Sequence, residues 1–163
     1  RYTSYPTAPY FNETVQQKTV AKWMRAIPED EAISVYLHIP FCDRLCWFCG
    51  CHTKHTQKYE PVKRYLADLY QEIRLAAQTI GRKQVLAHLH LGGGSPSLLR
   101  APELMQLKSV LLECFEFTAD TEISLEFDPT DLDEEALLAF CKRGLCIVIG
   151  FSFPEVLEDN PHA

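Results

Sequence analysis

Three segments of this chain alternate apolar and polar residues with a period of two. Ile33, Val35, Leu37 and Ile39 stand against Ser34, Tyr36 and His38; Val85, Ala87, Leu89 and Leu91 against Leu86, His88 and His90; Ile123, Leu125 and Phe127 against Glu122, Ser124 and Glu126. Successive side chains of a strand point to opposite faces, so each segment predicts a strand with one buried face. Between them the period changes. Pro61 suits the first turn of a helix whose stripe runs through Val62, Leu66, Leu69, Ile73 and Ala77 to a stop near Gly81, and Leu104, Leu107, Leu111 and Phe115 mark a second helix. Asp131 and Glu134 are spaced as a capping pair for a helix ended by Gly144, and Cys146 to Ile149 reads as a fourth strand.

Strand, helix, strand at this spacing is the pattern of parallel βαβ units. An open sheet covered on both sides would be apolar on both faces. Here each strand keeps a polar face, which predicts an α/β class fold: a partial barrel of about three and a half βα units, with helices outside and the polar faces lining a shared interior. Parallel barrels gather reactive groups at the C-terminal ends of their strands. The cysteine-bearing loop after Ile39 and the Gly92-Gly93-Gly94-Ser95-Pro96 segment both leave from such ends.

With 163 residues, 47% of them hydrophobic, the chain can bury one core but falls short of the ~250 residues of a closed eight-unit barrel. Its net charge of −6 and the lack of a Lys/Arg block argue against nucleic acid or an anionic membrane surface as the main partner. No apolar run reaches the ~18 residues of a membrane span and no signal peptide opens the chain, so a soluble cytoplasmic protein is expected. Three regions are expected: an arm with a short amphipathic helix over 1–32, in which Val20, Trp23, Met24 and Ile27 share a face and Pro28 ends the helix; the partial barrel over 33–150; and a tail over 151–163.

Of seven cysteines, Cys42, Cys46, Cys49 and Cys51 lie within ten residues. Thiolates are soft ligands for iron–sulfur clusters or zinc, and the three-then-two spacing of Cys42, Cys46 and Cys49 lets one loop wrap a metal. Three cysteines leave one iron of a [4Fe–4S] cluster without a protein ligand. A zinc loop completed by Cys51 or His52, and a thiol redox site, are the alternatives. Cys114, Cys141 and Cys146 stand on apolar stripes and are expected to be buried as small hydrophobes. His38, His88 and His90 lack metal-ligand spacing and are expected to be hydrogen-bonded interior residues, with His52 and His55 on a surface loop.

Cys42-Asp43-Arg44-Leu45-Cys46-Trp47-Phe48-Cys49, placed after a first strand and followed across a helix and a second strand by a glycine triplet, resembles the radical S-adenosylmethionine (radical SAM) enzymes. Arg1-Tyr2-Thr3-Ser4-Tyr5-Pro6-Thr7, Tyr36-Leu37-His38-Ile39-Pro40-Phe41-Cys42, Cys49-Gly50-Cys51, His90-Leu91-Gly92-Gly93-Gly94-Ser95-Pro96 and Glu122-Ile123-Ser124-Leu125-Glu126-Phe127-Asp128-Pro129 narrow the resemblance to the family of oxygen-independent coproporphyrinogen III oxidases. Cys51 favours that family over the related haem chaperones.

The resemblance implies an anaerobic oxidative decarboxylation of coproporphyrinogen III to protoporphyrinogen IX, with a [4Fe–4S] cluster and SAM as cofactors and flavodoxin or ferredoxin as electron donor. By the same resemblance Cys42, Cys46 and Cys49 would ligate the cluster, Tyr36 would contact SAM, and the backbone around Phe48 would hold its adenine. Gly93 would admit the SAM amino group, Glu126 would reach its ribose or amino group, and Gly94 and Ser95 would match a second SAM site. After Gly144 the family pattern expects Asn-Arg-Leu-Ser-Leu-Gly-Val-Gln, and Cys146-Ile147-Val148-Ile149-Gly150-Phe151-Ser152 stands instead, with Ser152 near the position of the SAM-binding glutamine. The rival functions on the same scaffold are a haem chaperone and a radical SAM enzyme that opens the haem ring.

Overall fold

The computed structural model describes residues 8–44, 50–127 and the backbone of 145–150. Four parallel strands form one sheet in the order β1 (Ile33–Ile39), β4 (Val85–Gly93), β5 (Glu116–Phe127) and β6 (Leu145–Gly150). Helix α2 (Glu60–Ile80) connects β1 to β4, and α3 (Ala101–Cys114) connects β4 to β5. A shorter helix, α1 (Gln17–Arg25), precedes the sheet. The expected parallel βα arrangement is thus present, and among the described residues the sheet is open, with β1 and β6 as its outer strands.

The core lies between one sheet face and the two long helices. Leu37 and Ile39 of β1, Leu89 and Leu91 of β4, and Ile123 and Leu125 of β5 are buried against Val62, Leu66, Leu69 and Ile73 of α2 and Leu104, Leu107, Val110 and Leu111 of α3. Each such side chain contributes roughly 1.5–3 kcal/mol through its removal from water. This burial fixes which sheet face meets the helices. The opposite face keeps the polar residues of the same strands, as the alternation predicts.

Four departures from the expected pattern have physical causes. Strand β4 continues to Gly93 instead of breaking at the glycines, because Gly92 and Gly93 still pair with His38 and Ile39. Leu86, expected on the polar face, is fully buried: the register shifts between Leu86 and His88, so strict alternation holds only after Ala87. Strand β5 starts at Glu116, six residues before the alternation that begins at Glu122, and buried Thr121 mends the irregularity there, its hydroxyl donating to the Leu86 carbonyl at 2.8 Å and accepting from the Thr118 amide at 2.9 Å. Along α1 the stripe divides. Met24 and the following Ile27 pack on the core, whereas Val20 and Trp23 are 41% and 57% exposed.

A small parallel ribbon of β2 (Phe41–Cys42) and β3 (Lys54–His55), not foreseen from the sequence, holds the base of the cysteine loop. On one side Lys54 and Thr56 donate backbone hydrogen bonds to Pro40 and Cys42; on the other Gly94 and Ser95 donate to Ile39 and Phe41, both at 2.7 Å. Tyr65 of α2 donates its hydroxyl to the His38 carbonyl. The expected arm of residues 1–7, the helix between Asp131 and Gly144, the positions of Cys46, Phe48, Cys49, Cys141 and Ser152, and the side chain of Cys146 lie outside the described residues.

Candidate functional site

The polar face is assembled by register. Tyr36 of β1 stands opposite His90 of β4, which stands opposite Ser124 of β5. One step towards the N-terminal end, Ser34 and His88 meet through Oγ and Nδ1 at 3.1 Å. Parallel pairing places these groups in rows across the sheet, and the rows end beneath Cys42 and the glycine segment.

His90 is the hub. Its Nδ1 lies 2.6 Å from the Ser124 hydroxyl and its Nε2 lies 3.1 Å from Oε1 of Glu126. Its ring stacks on Tyr36, with centroids 5.5 Å apart and planes tilted by 15°. The second carboxylate oxygen of Glu126, Oε2, accepts the Gly93 amide at 3.0 Å. The carboxylate therefore has one tether to each end of the site.

A second chain of bonds leads towards the cysteine loop. The Tyr36 hydroxyl lies 2.9 Å from Nδ1 of His38, and Nε2 of His38 lies 2.8 Å from the carbonyl of His52. A carbonyl oxygen can only accept, so Nε2 is assigned as the N–H donor and Nδ1 accepts from the phenol. Burial, then the Glu126 charge and then Cys51, raises the Tyr36 pKa above the ordinary phenol value, which keeps the hydroxyl a donor at neutral pH.

The glycines allow this packing. Gly93 has φ +113°, a conformation that disfavours side chains, and a Cβ on it would come 2.6 Å from the His38 ring. A Cβ on Gly94 would fall well inside contact distance of the Phe41 carbonyl. The room that a side chain at these positions would need is thus already taken by the chain itself.

Of the cysteine triad, Cys42 is described and half-buried on β2, and Cys51 is exposed. Cys114 is buried as expected, and burial followed by the Glu113 charge raises its pKa. The structure thus brings Tyr36, Gly93 and Glu126 together at the strand ends, and Ser95 follows them, buried and bonded to Ser97 at 2.7 Å. His38, His88 and His90 are hydrogen-bonded, as expected, but only His38 and His90 are partly buried: His88, expected in the interior, is exposed, because the sheet face it stands on is left uncovered among the described residues; His52 and His55 are exposed, and His55 bonds the Asp43 carbonyl at 2.8 Å. The tie of His90 to Glu126 was not foreseen from the sequence, where the alternation puts both on polar faces but carries no information on the stagger between their strands. A cavity of about 650 Å³ runs along β1, lined by Met24, Ile27, Leu69 and Ile73 together with Tyr36 and His38 of the site itself.

A family model described as the radical SAM superfamily matches residues 36–159. The chain belongs to that superfamily. It is 41% identical over 145 residues to the oxygen-independent coproporphyrinogen III oxidase of Paracoccus denitrificans, covering 89% of this chain and 32% of the relative, and 37% identical over 145 residues, with the same coverage, to that of Bradyrhizobium diazoefficiens. The solved structure of coproporphyrinogen III oxidase from Escherichia coli, described as a radical SAM enzyme, superposes with a TM-score of 0.78 at 35% identity over 90% of this chain and 34% of that one. The chain spans about a third of the length of these relatives.

Proposed function

We propose that the protein to which this chain belongs is an oxygen-independent coproporphyrinogen III oxidase, an oxidoreductase of haem biosynthesis working in the cytoplasm. The observation that carries this reading is the similarity to such oxidases along 145 residues, joined to a fold that gathers Tyr36, His90, Gly93 and Glu126 at the C-terminal ends of neighbouring strands. Cys42, Cys46 and Cys49 would hold a [4Fe–4S] cluster, and Tyr36, the Phe48 backbone, Gly93 and Glu126 would hold SAM, with Gly94 and Ser95 facing a second SAM.

The described residues fit these cofactors. SAM carries a sulfonium and an ammonium group, and Glu126 offers a carboxylate held by two hydrogen bonds with lone pairs to spare. Cys42 stands on a backbone clamped from both sides, which gives a soft ligand a fixed starting point. No helix among the described residues is long and apolar enough to cross a membrane.

When bound, the cluster and SAM supply a hydrogen-abstracting radical after one-electron reduction by a donor such as flavodoxin or ferredoxin. The chain's own share is to orient and to shield. Tyr36 and Glu126 flank His90, Glu126 orients the cationic ligand, and the clamped loop base fixes Cys42 just past the end of β1. Each of two propionates would give one hydrogen atom to the SAM-derived radical and, on losing carbon dioxide, one electron to an external one-electron acceptor, leaving a vinyl group.

The test is anaerobic reconstitution of the full-length protein followed by porphyrin analysis. Vinyl porphyrin formed from coproporphyrinogen III, with SAM and a reductant both required, is expected. An opened tetrapyrrole, or intact haem handed on without turnover, overturns the reading in favour of one of the rivals.

A further inference from the structure

We propose that His90 is a positioning residue for this pocket: its imidazole locks Glu126 and Tyr36 into one unit, so that carboxylate and phenol ring hold their geometry before a cationic ligand arrives. The inference rests on the functional reading above and deepens it. Both nitrogens of His90 are already engaged, with Ser124 at 2.6 Å and Glu126 at 3.1 Å, and one ring face covers Tyr36. The ring therefore has no nitrogen to offer a ligand and acts through its neighbours.

Gly92 adds an independent observation. A Cβ there would lie 2.9 Å from Nε2 of His90 and 2.9 Å from both Cδ and Oε2 of Glu126, so the missing side chain is the gap through which the two groups meet. Without His90 the Glu126 side chain keeps only the Gly93 tether. Binding would then have to freeze its rotamers, an entropy cost that a preorganised carboxylate avoids.

The experiment measures SAM affinity by equilibrium dialysis on cluster-loaded full-length protein, together with imidazole ¹⁵N shifts of His90 in the ligand-free protein. His90→Ala is expected to weaken SAM binding about 10-fold with iron content unchanged, the scale on which partners one step removed from a bound group act. His90→Gln, which keeps an N–H within reach of the carboxylate, recovers part of that loss. Added to Glu126→Gln, His90→Ala should cost nothing further, since interacting residues are non-additive. A purely structural role would give additive losses in affinity and no rescue. Should His90→Ala fail to fold, Gly92→Ala, which wedges the pair apart, and His90→Gln are scored instead.

Unchanged affinity in Gly92→Ala and His90→Ala, or additive losses, overturns the inference. So do His90 ring shifts that ignore Glu126→Gln. A wild-type protein that loads its cluster yet binds no SAM overturns the functional reading alone, because the ring shifts still report whether His90 and Glu126 are tied.

Discussion

The backbone amide of Gly93 donates to Oε2 of Glu126 at 3.0 Å, joining the last residue of β4 to the next-to-last residue of β5. The glycine segment and the polar face are therefore one construction. The same glycine takes a φ of +113°, and a Cβ on it would run into the His38 ring. Backbone geometry at one strand end sets the aim of an acid on the next strand.

Glu126 is expected to separate charge from scaffolding. Glu126→Gln keeps an oxygen for the Gly93 amide, so stability should change little, while SAM affinity falls because the cationic ligand loses its counter-charge. Glu126→Ala also leaves the amide and His90 without that partner and should cost roughly 1–3 kcal/mol in urea unfolding as well. Retention of full SAM affinity by Glu126→Gln would show that the carboxylate faces no cation.

The three glycines should respond to alanine in a defined order. At Gly92 the new methyl meets only the movable ends of Glu126 and His90, so the stability loss stays below about 1 kcal/mol even as the pocket is disturbed. At Gly93 the strained φ and the His38 ring together should cost roughly 1–3 kcal/mol. Gly94→Ala pushes on the Phe41 carbonyl, which is backbone and cannot rotate away, so it should be the most destabilising of the three and also reduce iron uptake at neighbouring Cys42. Urea midpoints and iron content check the order; equal effects at all three positions would contradict it.

The apolar half of the fold was legible because burial on one face writes a period of two into Ile33 to Ile39 and Ile123 to Leu125, and a helical period into Val62 to Ile73. Local patterning could not reveal the register shift at Ala87, because the element that compensates for it, Thr121, lies 34 residues away and acts through a backbone bond to Leu86. The two-residue strands of the cysteine ribbon are too short to carry a period at all. For the site, the strand faces named the right rows of residues. Which partners meet depended on the relative stagger of three strands, a tertiary quantity that sets Tyr36 over His90 and His90 against Glu126.

Gln84 is expected to hold the approach to β1 without touching the site. It is 1% exposed, and its amide nitrogen donates to the carbonyls of Pro28 at 2.9 Å and of Glu31. Gln84→Leu keeps most of the volume and strands those carbonyls, for an expected loss of roughly 1–3 kcal/mol. Because Gln84 precedes β4 at the end of the sheet opposite the glycines, iron loading and SAM affinity of the folded variant should match the wild type. A thermal midpoint unchanged in this variant would mean that water satisfies the carbonyls and that the clamp is dispensable.

Tyr70 should govern the alkaline limit of the fold. Its ring is buried between α2 and α3 and its hydroxyl donates to the Glu103 carbonyl at 3.2 Å. Burial, followed by the charge of Glu103 and then Tyr59, pushes its pKa up to about 12 from the ordinary phenol value of 10.0. The sign follows from linkage: the folded chain keeps this proton where the unfolded chain gives it up, so the stabilisation is complete below pH ~10 and lost as pH climbs through ~12. Tyr70→Phe has no proton to lose. It should give up only about 1 kcal/mol at neutral pH for the missing hydrogen bond and unfold at a higher pH than the wild type, with one phenol fewer in the late part of the near-ultraviolet titration. If both proteins unfold at the same alkaline pH, another buried group, with Tyr59 and Tyr65 the first to test because burial raises both, sets that limit.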